Sequence, residues 1–234
     1  MGSEMCIRDR TNGVATIGSA TPTSISRIGD HQYVLGFSLS GTPNGSEQLA
    51  VVPIANSIFD INGTASSTSQ SNNTVNLFEK VLPTISSTAL AADNSTITAT
   101  FSEAVFKSRS ASGTGFAGNG DLEVSDFVLS MSGGVATLGS ATPTSISKSS
   151  NAYTLGINYI GLPNGSEVIT VIPAQDAIYD NTGNIASTTQ SNNTKTFNSE
   201  KIRIAKSLEF ETGYAQFLSL LKRDADTYIA AFMY

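Results

Sequence analysis

The sequence predicts an all-β chain of tandem antiparallel β-sandwiches, the first truncated, followed by a partial C-terminal hairpin. Three observations carry this. First, residues 14–26 (VATIGSATPTSIS) return as 135–147 (VATLGSATPTSIS), and 33–74 returns without a gap as 153–194. The period of about 120 residues exceeds a solenoid unit and suffices for a domain with its own core. Second, apolar residues alternate with period two in short runs bounded by Asn, Gly and Pro. Third, only 14% of residues are charged, and Ser, Thr, Asn and Gly supply the polar surface, which suits strands and turns better than helices.

Within the second copy, residues 96–101 place Ile97, Ala99 and Phe101 on one face and threonines on the other. Residues 153–159 turn Tyr153, Leu155, Ile157 and Tyr159 inward, and the first copy offers Tyr33, Leu35, Phe37 and Leu39. Ile169 and Val171 match Leu49 and Val51, while 127–131, 135–138 and 194–197 are weaker strands. The expected core joins Ile97, Phe101, Leu155, Ile157, Ile169 and Val171. Asp93-Asn94, Gly133-Gly134, Pro163-Asn164-Gly165 and 181–184 mark turns, because Asn and Gly tolerate the positive φ of a tight reversal. Gly36 and Gly156, inside strand patterns, mark a bulge or a close backbone approach.

The copies are unequal. Residues 83–201 form a complete repeat opening at Pro83, whereas 11–80 lack any counterpart of 83–132. Partner strands without their opening neighbours would keep unpaired edges, so the chain reads as a fragment of a longer protein. Glu79-Lys80 and Glu200-Lys201 mark the repeat ends. Residues 1–10 (MGSEMCIRDR) match neither the repeat nor a strand pattern. They look like translated adapter read-through and are set aside as a non-native leader, together with Cys6. A single cysteine leaves no internal disulfide. In the tail, 202–234, apolar runs 217–221 and 228–232 predict a hairpin, with a short helix over 215–222 as the competing assignment.

DNSTITATFSEAV (93–105), LEVSDFVLS (122–130) and IYDNTGNIAS (178–187) resemble bacterial Ig-like repeats of S-layer and large surface or adhesin-type proteins. The resemblance spans about 11–200. It implies a Greek-key Ig-like sandwich within an extracellular or surface-anchored multidomain protein. The tail segment LLKRDADTYIAAFMY (220–234) resembles the start of a β-propeller-like repeat.

A net charge of −6 and a pI near 4.7 argue against nucleic acid, which needs clustered Lys and Arg. No apolar stretch reaches the roughly 18 residues that span a bilayer. The insertion 106–120 contains GTGFAG at 113–118, a literal GxGxxG, but polar residues precede it and Asn119-Gly120-Asp121 follows, so no helix can cradle a pyrophosphate there. It reads as a flexible loop.

Calcium is the better candidate, since it takes six to eight oxygens from carboxylates, carbonyls and amides. Glu103, Asp121 and Asp126 flank the insertion and could pin it through a cation. Asp180, with Asn181 and Asn184, is a further candidate, copied as Asp60 and Asn62. An Asx-turn is the alternative for Asp180. His31 has no counterpart in the second copy, and no HExxH, GxSxG or CxxC occurs, so no enzyme is expected. Duplicating whole units adds reach and valency. The expected function is a structural spacer or adhesive module, engaging neighbouring repeats of its own chain and cell-surface glycans or proteins. A carbohydrate-binding module is the alternative, although there is no tryptophan to form a platform. Non-catalytic accessory repeats of a larger secreted enzyme are another.

Overall fold

The computed structural model describes residues 5–9, 13–113, 115–199, 217–222 and 228–233. The first copy contributes β1 (Met5–Asp9), β2 (Thr16–Ile17), β3 (Ser24–Gly29), β4 (Gln32–Gly36), β5 (Leu39–Ser40), β6 (Gln48–Pro53) and β7 (Thr74–Asn76). The second opens with β8 (Ile85–Leu90) and β9 (Thr96–Phe101). It inserts β10 (Val105–Phe106), β11 (Ser108–Ser112) and β12 (Gly115–Asn119), then continues through β13 (Phe127–Ser132), β14 (Thr137–Leu138) and β15 (Ile146–Ser149). After these come β16 (Ala152–Gly156), β17 (Tyr159–Ile160), β18 (Val168–Pro173), β19 (Tyr179–Asp180) and β20 (Thr194–Thr196). The fold is all-β, and every strand pairing described is antiparallel.

The chain divides into two compact units that do not follow the sequence repeat. The first comprises Met1–Thr84, Ser102–Leu122 and Gln175–Ser187, and the second Ile85–Phe101, Glu123–Ala174 and Thr188–Tyr234. In the second unit a four-stranded sheet in the order β15-β16-β9-β8 faces a three-stranded sheet in the order β13-β18-β20. Phe127 of the smaller sheet meets Phe101 and Tyr153 of the larger, with ring centroids 6.3 and 6.0 Å away, and Phe101 and Tyr153 stand edge-on at 5.9 Å. Aromatic pairs favour such tilted geometries. All six expected core residues are buried here, because alternation puts every second side chain between the sheets.

Two clasps close this unit. Thr88 donates its hydroxyl to the carbonyls of Asn192 and Thr194. Buried Asn94, at φ 59°, exchanges two bonds of 2.8 Å with the backbone of Asn198, its amide donating to the carbonyl and its oxygen accepting from the N–H. The strand expected over 153–159 stops at Gly156 and resumes at Tyr159. A Cβ on Gly156 would lie 2.4 Å from Thr144 Oγ1 and 2.5 Å from Ser145 Oγ, so the close approach expected of this glycine is present.

The first copy repeats the smaller sheet as β1-β6-β7 and keeps the hairpin β3-β4. Residues 1–10, set aside as a leader in reading the sequence, therefore contribute a strand. Met5 stands opposite Pro53 as Phe127 stands opposite Pro173. Ile7 is buried and donates to the Ala20 carbonyl at 2.7 Å, as Leu129 does to Ala141 at 2.6 Å. Alternation in Met5-Cys6-Ile7 is enough for the ladder, whose hydrogen bonds come from backbone and not from side-chain identity.

The C-terminal hairpin is observed as β21 (Phe217–Lys222) paired with β22 (Tyr228–Met233), in place of the competing helix. The residues between and before these strands lie outside the described set.

Equivalent tyrosines predict unequal losses. Tyr153 is 1% exposed and Tyr33 is 51% exposed. Tyr153→Ala should destabilise its unit by about 3–5 kcal/mol through lost burial and a residual cavity, and Tyr33→Ala by about 1 kcal/mol or less. Urea unfolding of both variants checks this.

Candidate functional site

The insertion is a hairpin, which corrects the expectation of a flexible loop. Strand β11 pairs with β12 from Ser108↔Asn119 to Ser112↔Gly115. Its anchor is Arg109. The guanidinium lies 4.4 Å from the Phe116 ring centroid and 5.3 Å from that of Tyr179, and donates to the Gly183 carbonyl at 2.7 Å. Cation–π stacking of this kind, combined with a charge-assisted hydrogen bond, holds the segment without a metal ion. The argument that a cation must pin the insertion therefore fails. Gly183, at φ 86°, has no room for a side chain, since a Cβ would meet Phe116 Cβ at 2.5 Å. Its counterpart Gly63 shares the conformation (φ 81°) but faces open space.

The four acidic candidates separate. Asp126 turns its carboxylate to the Glu123 N–H at 2.7 Å, at the start of a short 3-10 turn (Val124–Asp126) in the second unit. Asp121 is exposed in the first unit. Asp180, fully buried at the end of β19, accepts the N–H groups of Thr182 and Asn184 on Oδ1, both at 2.8 Å. That is the Asx-type turn, and Asp60 repeats it with Asn62 and Thr64 at 2.9 and 2.8 Å.

Around Asp180 the structure assembles a carboxylate cluster that sequence spacing did not indicate. The closest acceptors of the Asn184 side-chain amide are Glu79 Oε2 at 2.6 Å and Asp180 Oδ2 at 2.8 Å. With two hydrogens to give, it can bridge both groups. Thr182 Oγ1 also bonds Glu79 Oε2. Glu79 Oε1 is buried and, among the described residues, has no hydrogen-bond partner. Glu103, on the bend after β9, completes the cluster. Burial first, then the charges of Asp180 and Glu79, push its carboxyl up to about 7, the combined effect of desolvation and like charge. All of these residues belong to the first unit. Among the described residues, no three or more His, Cys, Asp or Glu are placed to hold a metal ion.

A second pair of acidic residues escaped the sequence reading altogether. Glu47 and Glu167, which end the repeated Pro-Asn-Gly-Ser-Glu segment, are buried. Glu167 Oε1 accepts the N–H groups of Val135 and Ala136 at 2.8 and 3.0 Å, and Oε2 accepts Asn164 and Gly165 at 3.1 and 3.0 Å. Burial pushes its carboxyl up, but these backbone donors outweigh it and hold the group at about 2. Glu47 receives Ala15, Asn44 and Gly45 in the same way and is also lowered, with the Ala15 N–H the largest cause. The available signal was the identity of the five residues in both copies.

The chain matches no protein-family model, no curated protein and no solved structure.

The two extreme carboxyls give opposite pH dependences. Glu167 has a folded value near 2 against an ordinary 4.5, so the stability it contributes is complete above pH 4.5 and is lost as pH falls toward 2. Glu167→Gln should lower the melting temperature at pH 7 and flatten this acid limb. Glu103 has a folded value near 7 against 4.5. Its contribution is complete below pH 4.5 and is lost as pH rises through 7. Glu103→Gln should therefore stabilise the protein at pH 8 by about 1 kcal/mol, once solvent screening is allowed for, and leave it unchanged at pH 4. Melting curves from pH 2.5 to 8.5 test both.

Proposed function

We propose that this chain is a structural spacer of the Ig-like type, a repeat module whose work is to hold its neighbours at a set distance, in an extracellular or surface-anchored setting. The observation that supports it most is the fastening of Glu79. This residue ends the first copy, and its carboxylate is bonded to Thr182 and Asn184 on the Asp180–Asn184 turn of the second copy, all within one compact unit. A bead-like array of independent binders has no need of that bond; a stiff spacer does, since a free linker would let the repeats swing. The scarcity of charged residues and the near-identical duplication agree with a scaffold rather than a catalyst.

If the bond stiffens the junction, cutting it should expose the linker. Lys80 follows Glu79 directly and its side chain is exposed. Asn184→Ala should speed tryptic cleavage after Lys80 by about tenfold, because cleavage follows local opening, while the melting of the second unit stays unchanged. Equal cleavage rates in the two proteins would count against the spacer reading.

Calcium belongs to this proposal as a stabiliser of the junction. Of the original candidates, Glu103 and Asp180 remain as the carriers, joined by Glu79, whose unpartnered Oε1 is the oxygen a cation would satisfy. Asp126 is already engaged by the Glu123 amide and Asp121 is exposed. A divalent ion would offset the mutual repulsion that raises Glu103, releasing its proton on binding. Added calcium should raise the melting temperature of the full chain by several degrees at pH 8 and less at pH 6, by mass action. Glu103→Gln should abolish the response. A melting temperature unchanged between millimolar calcium and chelator would remove the metal and leave the spacer.

A further inference from the structure

The first copy presents an open strand edge above an apolar groove, and the second copy shows what closes such an edge. In the second copy β16 is covered by β9, with Leu155 opposite Ile97 and Tyr153 opposite Ala99, and β8 follows outside. In the first copy the equivalent β4 carries Tyr33, Leu35 and Gly36 where β16 carries Tyr153, Leu155 and Gly156. Strand β4 pairs with β3 alone, and no described strand lies along its other side. Phe37 is 40% exposed where Ile157 is 8% exposed. Beneath the edge, Met5, Ile7, Leu49 and Val51 line a groove together with Tyr33 and Leu35.

The edge is unguarded. Natural sheets blunt free edges with proline, lysine, an inward charge or a covering loop, and Gln32-Tyr33-Val34-Leu35-Gly36 contains neither proline nor charge. Its neutrality matches the hairpin seated on its counterpart, since residues 85–101 carry a single charge, Asp93, and that lies in the turn. A flat second copy of β4 would satisfy the backbone edge but would not fill the groove. A hairpin of the 85–101 kind does both, by adding a ladder and by inserting a row of alternate side chains.

We propose that the first copy is a strand acceptor. Its β4 edge and the groove beneath it take an antiparallel β-hairpin from a partner polypeptide, with inward residues of the Ile97-Ala99-Phe101 pattern and an Ile97-like residue opposite Leu35. This goes beyond the spacer reading and does not depend on it, because it concerns a free face of one copy and not the junction.

The probe is a synthetic peptide with the sequence of residues 83–101, added to the full chain, whose second copy already holds its own hairpin. Isolated hairpins are marginal in water, so part of the binding free energy orders the peptide, and a dissociation constant of roughly 1–100 µM is expected. Hydrogen exchange should slow at the amides of residues 32–36 and stay unchanged in β16. Leu35→Asp in the protein should weaken binding by at least about tenfold. The same loss should follow from Ile97→Asp in the peptide, a change that leaves the folded protein untouched. Absence of protection at millimolar peptide would overturn the proposal, as would binding indifferent to Ile97→Asp. Concentration-dependent dimerisation of the chain alone, protecting the same amides, would assign the edge to a second copy and overturn it equally.

Discussion

A carboxylate buried beneath backbone amides sets the geometry on which each copy is built. Glu167 sits at the entry of β18 and collects N–H groups from two separate segments, Asn164 and Gly165 in its own turn and Val135 and Ala136 leading into β14. The ion makes these donors converge, because an ionised carboxylate can accept about four bonds while a buried N–H tolerates no vacancy. Glu47 does the same for the first copy. Once these segments are fixed, the phase of β18 against β13 follows, and with it which side chains face Phe101 and Tyr153.

The copies then diverge through context and not through sequence. Tyr33 and Tyr153 occupy matching strands, yet one is half exposed and the other enclosed. Burial belongs to the neighbour that arrives, here β9, and not to the residue that waits. The acidic turn shows the same dependence. Asp60 and Asp180 make the same turn bonds, but only Asp180 is buried, with Glu79 and the insertion hairpin at hand.

The legible part of the fold was the local part. Period-two alternation placed Ile97, Phe101, Leu155, Ile169 and Val171 inside, since the pleat alone decides the face. The Asx-turn at Asp180 was legible for the same reason, needing only residues two and four positions on. What escaped depends on distant partners. Glycine and serine in the insertion suggested a loop, and its order comes from Arg109 reaching Tyr179 and Gly183, some seventy positions away. Glu167 escaped because a charged side chain ordinarily signals surface, and nothing adjacent announces four converging amides. Asp126 was misjudged in the opposite sense, since its short-range bond to Glu123 claims the oxygen that a cation would have used. Strand β1 was overlooked because Arg8 and Asp9 disguise a ladder whose bonds are backbone alone.

The Asn94–Asn198 clasp has a mechanical meaning. Tension applied where the chain leaves the second copy reaches the paired 2.8 Å bonds of this clasp and the Thr88 bonds to Asn192 and Thr194 before β20 can peel from β18. Several bonds share the load at once, as in a seam pulled along its length. In the first copy Leu77 takes the place of Phe197, each donating its N–H to the buried glutamate's carbonyl. Phe78 therefore stands where Asn198 would, and β7 is held to β6 by three residue pairs with no clasp behind them. That seam opens one stitch at a time. A pulled array of such copies would yield in sequence, the unclasped unit lengthening first and sparing the clasped one, so that the chain behaves as a fuse in series with a strut.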